Sequence, residues 1–354
     1  MRDISQAPFL VIWEVTQACD LACQHCRASA RPDRDPGELS YDEGLRLLGE
    51  IRAFGDPLLV FTGGDPLKRP DLFDLLKASV ALGLRTTVTP SATPLLSEEA
   101  VSSIQACGVS RMAVSLDGCS AEEHDSFRQV AGSFDRTIDA LRHAARIGLE
   151  TQINTTVTRR NLASLPRIAD LVGAERARLW SVFFLIVTGR ARLDDDLRAE
   201  EYEQVFEFLY RTSLSAPFDI KTTEAQHYRR YVAQQRKRSG AKAPSTRREP
   251  IQRQAGINDG KGFLFISHTG EIFPSGFLAL SAGNIRNTSI EDAYRNSSLF
   301  RVLRDADSLN GKCGACEYKN LCGGSRSRAF ALTGDYLGSD PRCTYFPPQF
   351  APAS

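Results

Sequence analysis

The sequence predicts an α/β fold built on a parallel sheet. From Phe9 to about residue 211, short apolar runs alternate with amphipathic segments, and strands alternating with helices imply parallel pairing through right-handed crossovers. Several amphipathic segments open on a helix cap or an early acid, as Ser40 does before Tyr41-Asp42-Glu43 and Ser97 before Glu98-Glu99. With 354 residues, a net charge of +1 and 42% hydrophobic residues, the chain can bury a sizeable core as one or two domains. The ladder alone fits part of an eight-unit barrel or a doubly wound open sheet.

The first strand is the run Phe9-Leu10-Val11-Ile12-Trp13, continued to residue 15. Further strands are expected at 58–61, 85–89, 111–116, 151–157 and 179–184. Helices are expected at 41–54, 70–82, 98–107, 134–147, 162–172 and 199–212, which makes six strand–helix units. Residues 236–262 begin Arg236-Lys237-Arg238-Ser239-Gly240 and lose apolar periodicity, so they read as a mobile connector. From Gly262, Phe263-Leu264-Phe265-Ile266-Ser267, His268-Thr269-Gly270 and Glu271-Ile272-Phe273 read as a β-hairpin, with a short helix at 290–304. The expected division is 1–215 as the strand–helix unit, 216–261 as connector and 262–354 as a small cysteine-rich α+β unit.

Composition narrows the function classes. Balanced charge, and basic residues without interleaved aromatics, give no reason to expect a nucleic-acid partner. No stretch approaches the ~20 apolar residues that span a bilayer, and Met1-Arg2-Asp3-Ile4-Ser5-Gln6 lacks the apolar core of a signal peptide. A soluble cytoplasmic protein without membrane association is expected. Nine cysteines in such a chain point to metal ligation rather than disulfides.

Three of them read Cys19-Asp20-Leu21-Ala22-Cys23-Gln24-His25-Cys26, a C-x3-C-x2-C spacing in the loop after the first strand. Open α/β sheets and barrels place their chemistry at that end of the strands. Three thiolates hold three irons of a 4Fe–4S cluster and leave the fourth iron open for a cofactor. A zinc site commonly has four ligands, and only His25 is close by. Cys313, Cys316, Cys322 and Cys343 form a second group, C-x2-C-x5-C followed by a fourth after twenty intervening residues. Spacing leaves a structural zinc and a fully ligated 4Fe–4S cluster both open for it. Cys107 and Cys119 remain, read as unreactive thiols.

The C-x3-C-x2-C loop after a first strand resembles the radical S-adenosylmethionine (SAM) superfamily. That resemblance implies a partial (β/α)6 TIM-like barrel with Cys19, Cys23 and Cys26 as catalytic cluster ligands. It further implies reductive cleavage of SAM to a 5′-deoxyadenosyl radical that abstracts a substrate hydrogen. His25 stands where the family often has an aromatic residue, and the backbone there usually touches the adenine. Gly63-Gly64-Asp65-Pro66 resembles the family's Gly-Gly-Glu segment for the SAM amino group, with Asp65 in place of Glu. Ser115, Asp117 and Asn154, at strand ends, are implied ribose or methionine contacts. Arg128 is implied for the SAM carboxylate, which a guanidinium pairs bidentately.

The C-terminal cysteines, with Gly283-Asn284-Ile285-Arg286 before a short helix, resemble a SPASM domain. The full pattern uses seven cysteines for two auxiliary clusters; here Ser275 and Arg326 stand at cysteine positions. What remains implies one auxiliary 4Fe–4S cluster with an electron-transfer role, two clusters in all. Within the family the chain looks most like the heme-maturation branch. Hydrogen abstraction with one-electron oxidation, ending in decarboxylation of a carboxylate such as a tetrapyrrole propionate, is the expected reaction. A flavodoxin- or ferredoxin-type electron donor is the expected partner. Arg190, His227 and Tyr228 are the substrate contacts expected for an anion. The alternatives are a peptide maturase, a sugar or nucleoside decarboxylase and a non-catalytic iron–sulfur or zinc redox protein. Peptide maturases often carry some eighty residues of recognition domain before a strand that here begins near Phe9. No general acid or base is identifiable in the sequence.

Overall fold

The structure, a computed structural model, describes residues 3–239 and 256–350. Seven strands alternate with helices: β1 (Leu10–Glu14), β2 (Leu58–Thr62), β3 (Arg85–Val88), β4 (Arg111–Ser115), β5 (Thr151–Val157), β6 (Leu179–Phe184) and β7 (Asp219–Thr223). The helices between and after them are α1 (Tyr41–Phe54), α2 (Leu72–Ala81), α3 (Glu98–Ala106), α4 (Ala121–Arg128), α5 (Ser133–Ile147), α6 (Leu165–Ala174), α7 (Ala199–Ser215) and α8 (His227–Ser239). Then come β8 (Phe263–Ile266) and β9 (Ile272–Phe273), followed by α9 (Ile290–Asn296), α10 (Ser298–Arg304), α11 (Gly311–Ala315) and α12 (Arg326–Thr333).

All nine strands belong to one sheet in the order β7-β6-β5-β4-β3-β2-β1-β8-β9, and only the β8–β9 pair is antiparallel. The sheet curls into a partial TIM-type barrel, as expected. Along β5 burial alternates strictly: Ile153, Thr155 and Val157 are covered by helices, while Gln152, Asn154 and Thr156 are half-buried on the inner face. Helices carry the matching stripe. In α1, Leu47, Leu48, Ile51 and Phe54 are buried, and Ser40 and Glu43 close a capping box that contributes about 1 kcal/mol. Trp13 of β1 and Trp180 of β6 are fully buried in one hydrophobic cluster running beneath the helices.

Three differences from the sequence expectation have physical causes. The stretch expected as connector contains β7, whose sequence Asp219-Ile220-Lys221-Thr222-Thr223 shows no apolar run because an edge strand is half solvated. It also contains α8, which carries Arg236, Lys237 and Arg238 in its last turn; of the rest of the expected mobile segment, 240–255 lies outside the described residues, while Ile257, Asn258 and Asp259 are buried. The 263–273 hairpin forms, yet β8 lies parallel to β1, Leu10 opposite Phe263, so it extends the main sheet. The helix expected at 290–304 breaks at Ser297, whose hydroxyl caps the Phe300 amide at 3.2 Å.

Candidate active site

The cysteine loop leaves β1 and is clamped from two sides by backbone. Thr16 and Ala18 accept from the Gly64 and Asp65 amides at 2.9 and 2.7 Å. A Cβ on Gly64 would lie 2.5 Å from the Ala18 carbonyl oxygen, and one on Gly63 2.5 Å from that of Thr16. The two glycines are therefore required by the close approach of the β2 turn to the loop. From the other side Gly189, at φ +60°, would place a Cβ 2.3 Å from the Cys26 oxygen, and the Arg190 amide donates to that oxygen at 3.0 Å.

Within the clamp Cys19 and Cys23 are buried, Cys26 is half-buried, and all three are free thiols. Each sulfur receives an N–H: Leu21 on Cys19 at 3.3 Å, Ala30 on Cys26 at 3.4 Å and the Arg128 Nη1 on Cys23 at 3.5 Å. Burial pushes the Cys19 thiol up to about 11, so a bound metal charge is what makes it a thiolate at neutral pH. Free, buried sulfurs already supplied with donors fit an iron–sulfur cluster.

The residues expected to contact the cofactor differ in where they lie. Ser115 and Asn154 are register partners across β4 and β5, half-buried on the inner face. Asp117 is buried, accepts from the Thr156 amide at 2.6 Å and forms an ion pair with Arg128. Desolvation raises its carboxyl, and the Arg128 charge opposes this. Arg128 thereby bridges Asp117 and Cys23, and its Nε is buried without a partner. Asp65 turns away from the loop, accepting from Thr93 Oγ1 at 2.7 Å and from the Ser91 and Leu67 amides at 3.2 Å. Pro66 is buried at the start of a short 3-10 turn. His25 packs on Phe127 with ring centroids 4.3 Å apart. Burial and the neighbouring Arg128 hold its imidazole well below the usual histidine range, hence neutral.

The expected substrate residues are placed otherwise. Arg190 spends its Nε on the Cys23 carbonyl and its Nη1 on that of Ala30, at 2.9 and 2.8 Å. Tyr228 is buried against Phe206. His227 is fully buried, stacked on Tyr202 at 5.4 Å. It lines the cavity that holds Cys313, Cys316, Cys322 and Cys343, with Arg230 also at the wall. The structure does not bring His227 or Tyr228 to the cysteine loop.

In that second cavity the Tyr318, Gly324 and Asp340 amides donate to Cys316, Cys322 and Cys313 at 3.4, 3.3 and 3.4 Å. The Arg326 Nη2 adds a contact to Cys313 at 3.5 Å. Burial pushes the Cys343 thiol up to about 11 and that of Cys322 further. Ser275 is buried, and the nearby Asp259 carboxylate accepts from the Ser327 amide and hydroxyl at 2.8 and 3.0 Å. Outside the cysteine groups, Cys107 is buried and Cys119 is half-buried against Glu123, 3.1 Å from its carboxylate.

One constellation escaped the sequence reading. Glu14, buried at the end of β1, pairs with Arg27 just after Cys26 and with His268 Nδ1 at 2.7 Å, beyond β8. Arg27 donates to the Gly276 carbonyl at 3.1 Å and lies 4.7 Å over the Phe265 ring and 6.0 Å from that of Phe277. Phe277 in turn meets Phe183 of β6, centroids 6.5 Å apart. The only sequence signal was an acid ending an apolar strand.

Comparisons with known proteins agree on the family. The Radical SAM superfamily model matches residues 13–172. The AdoMet-dependent heme synthase of Oleidesulfovibrio alaskensis is 41% identical over 349 residues, covering 98% of this chain and 90% of that protein. That of Methanosarcina barkeri is 39% identical, covering 98% and 99%. The crystal structure of Streptococcus suis SuiB bound to S-adenosylmethionine superposes with a TM-score of 0.76 at 18% identity, over 96% of this chain and 78% of that one, a likeness of fold.

Proposed function

From the premise that this chain belongs to the radical SAM superfamily, in its heme-maturation branch, we propose that it oxidatively decarboxylates propionate side chains of an iron tetrapyrrole to vinyl groups, forming heme. Membership makes it an enzyme that uses SAM and a 4Fe–4S cluster. The observation that supports the finer reading is the presence of two thiol sites in one chain: three cysteines in the loop after β1, and four lining a cavity with His227 and Arg230 of α8.

Cys19, Cys23 and Cys26 would hold a cluster that, with SAM, would supply a 5′-deoxyadenosyl radical to take one hydrogen from the propionate. The carboxylate carbon–carbon bond then breaks, carbon dioxide leaves, a carbon–carbon double bond forms, and one electron must depart. Cys313, Cys316, Cys322 and Cys343 would hold the auxiliary 4Fe–4S cluster that takes this electron. The four thiols line one cavity, a ligand set that suits a cubane.

The protein's own residues do the positioning. Gly63, Gly64 and Gly189 let backbone grip the cysteine loop, and Arg128, fixed by Asp117, steadies Cys23 while leaving an unpartnered Nε for an anionic group of SAM. Ser115 and Asn154 offer polar side chains on the inner face. Phe183 and Phe277, half-buried ring neighbours beside the Glu14-paired Arg27, would suit a flat macrocycle. A flavodoxin- or ferredoxin-type protein would deliver the initiating electron.

The test is anaerobic iron, sulfide and zinc content of the wild type beside a Cys313→Ala/Cys316→Ala variant, followed by turnover of a propionate-bearing iron porphyrin. About eight irons falling to about four, with product lacking carbon dioxide and two hydrogens per propionate, is the expected result. Cys26→Ala must abolish 5′-deoxyadenosine formation. One zinc in place of the second set of irons would remove the electron acceptor and, with it, this reaction.

A further inference from the structure

We infer that Arg326 raises the reduction potential of the auxiliary cluster and so favours electron uptake at the C-terminal site. The inference rests on the reading that those four cysteines hold iron and sulfide.

Arg326 is 1% exposed, and the acceptors of its hydrogen bonds are neutral carbonyls and one cysteine sulfur. Nη1 donates to Tyr336 and Gly338 at 3.0 and 2.7 Å, Nε reaches Gly324 at 3.4 Å, and Nη2 lies 3.5 Å from Cys313 Sγ. Asp259, the carboxylate whose ionisation feels this guanidinium, is engaged by Ser327. A permanent cation is thus buried with no acid bonded to it, which is costly unless a negative group lies beside it. A thiolate-ligated cluster is such a group.

Arg128 supplies the contrast. It makes the same kind of contact, 3.5 Å from Cys23, but its charge is directly paired with buried Asp117. The N–H that reaches Cys23 thus comes from an acid-paired guanidinium, whereas the one that reaches Cys313 comes from a guanidinium with no acid bonded to it. Reduction adds negative charge, and both a nearby cation and an N–H bond to sulfur favour the reduced state. Arg326 therefore favours uptake of the electron left by the substrate at the C-terminal cysteines.

Full-length protein carrying Cys19→Ala, Cys23→Ala and Cys26→Ala isolates the C-terminal site. Its metal content decides the underlying reading by itself: zinc without iron ends that reading and this inference together. With about four irons present, potentiometric titration followed by electron paramagnetic resonance compares Arg326 with Arg326→Gln and Arg326→Lys. The Gln variant is expected to lower the midpoint by at least a tenfold change in the reduction equilibrium, about 59 mV for one electron. The Lys variant should fall between, since it keeps the charge and loses the fork; if only one variant binds iron, its midpoint alone decides. Unchanged midpoints in the iron-loaded variants overturn the inference. So does failure of both variants to bind iron, which would make Arg326 a strut.

Discussion

Arg190 fastens the end of β6 to the cysteine loop: its Nε and Nη1 donate to the Cys23 and Ala30 carbonyls at 2.9 and 2.8 Å, across more than 150 residues of chain. Loss of two charge-assisted bonds of about 1.5 kcal/mol or more each should loosen the loop by about 3 kcal/mol. Arg190→Ala is expected to lose iron from the Cys19, Cys23 and Cys26 site while retaining that bound at the C terminus. Iron analysis and SAM-dependent spectral change read this out; a variant with full iron and only a raised substrate KM would instead assign Arg190 to the substrate.

Close backbone packing makes a second prediction sharper. Gly64→Ala sets a methyl 2.5 and 2.6 Å from two backbone oxygens, of Ala18 and Gln17, which no side-chain rotation relieves. Stability should fall by about 3 kcal/mol or more, with loss of SAM cleavage. Gly49→Ala, whose added methyl meets nothing within 4 Å in α1, should gain a few tenths to about 1 kcal/mol. Urea unfolding of the pair measures the contrast.

His268 should matter to the substrate more than to SAM. Its Nδ1 is held by Glu14, the carboxylate that also pairs with Arg27. In His268→Phe, product formation is expected to drop at least tenfold while abortive 5′-deoxyadenosine formation continues. Equal loss of both would place His268 in the support of the cysteine loop.

An acid-side pH dependence follows from Glu43. The Arg286 guanidinium, 2.6 Å away, and the Ser40 amide pull its carboxyl down to about 2 from 4.5. A depressed carboxyl stabilises the fold fully above its unfolded value, and that stability is lost as pH falls between about 4.5 and 2. The pair is partly solvent-exposed, so its contribution is about 1 kcal/mol or less. Glu43→Gln should therefore be less stable than wild type at pH 7, with a smaller gap at pH 4. A constant gap across that range would mean the ion pair contributes nothing.

Much of this was legible in the sequence, for reasons of pattern. β5 and β6 span the residues expected of them, and Ser40 and Ser97 cap α1 and α3 as their spacing implied. Edge strand β7 was invisible because half-solvated Lys221 and Thr223 need not be apolar. Arg190 shows a different limit: an arginine beyond a strand reads as an anion binder, and nothing local reveals that the carbonyls of residues 23 and 30 engage its Nε and Nη1. His227 likewise needed the long-range packing of α8 on the C-terminal cysteines. Glu14 and His268 lie 254 residues apart, and such pairings leave no periodic trace.

The β1–β8 pairing has a consequence for the protein's birth on the ribosome. Leu10 waits for Phe263, so at about 5–20 residues per second the first strand keeps an open edge for about 13 to 50 s. An unpaired edge for that long invites pairing with the wrong neighbour, and the many distant contacts make closure slow. Nascent chains are thus expected to need a holding chaperone until the last third has emerged, and to take up iron at the first cysteine loop only afterwards.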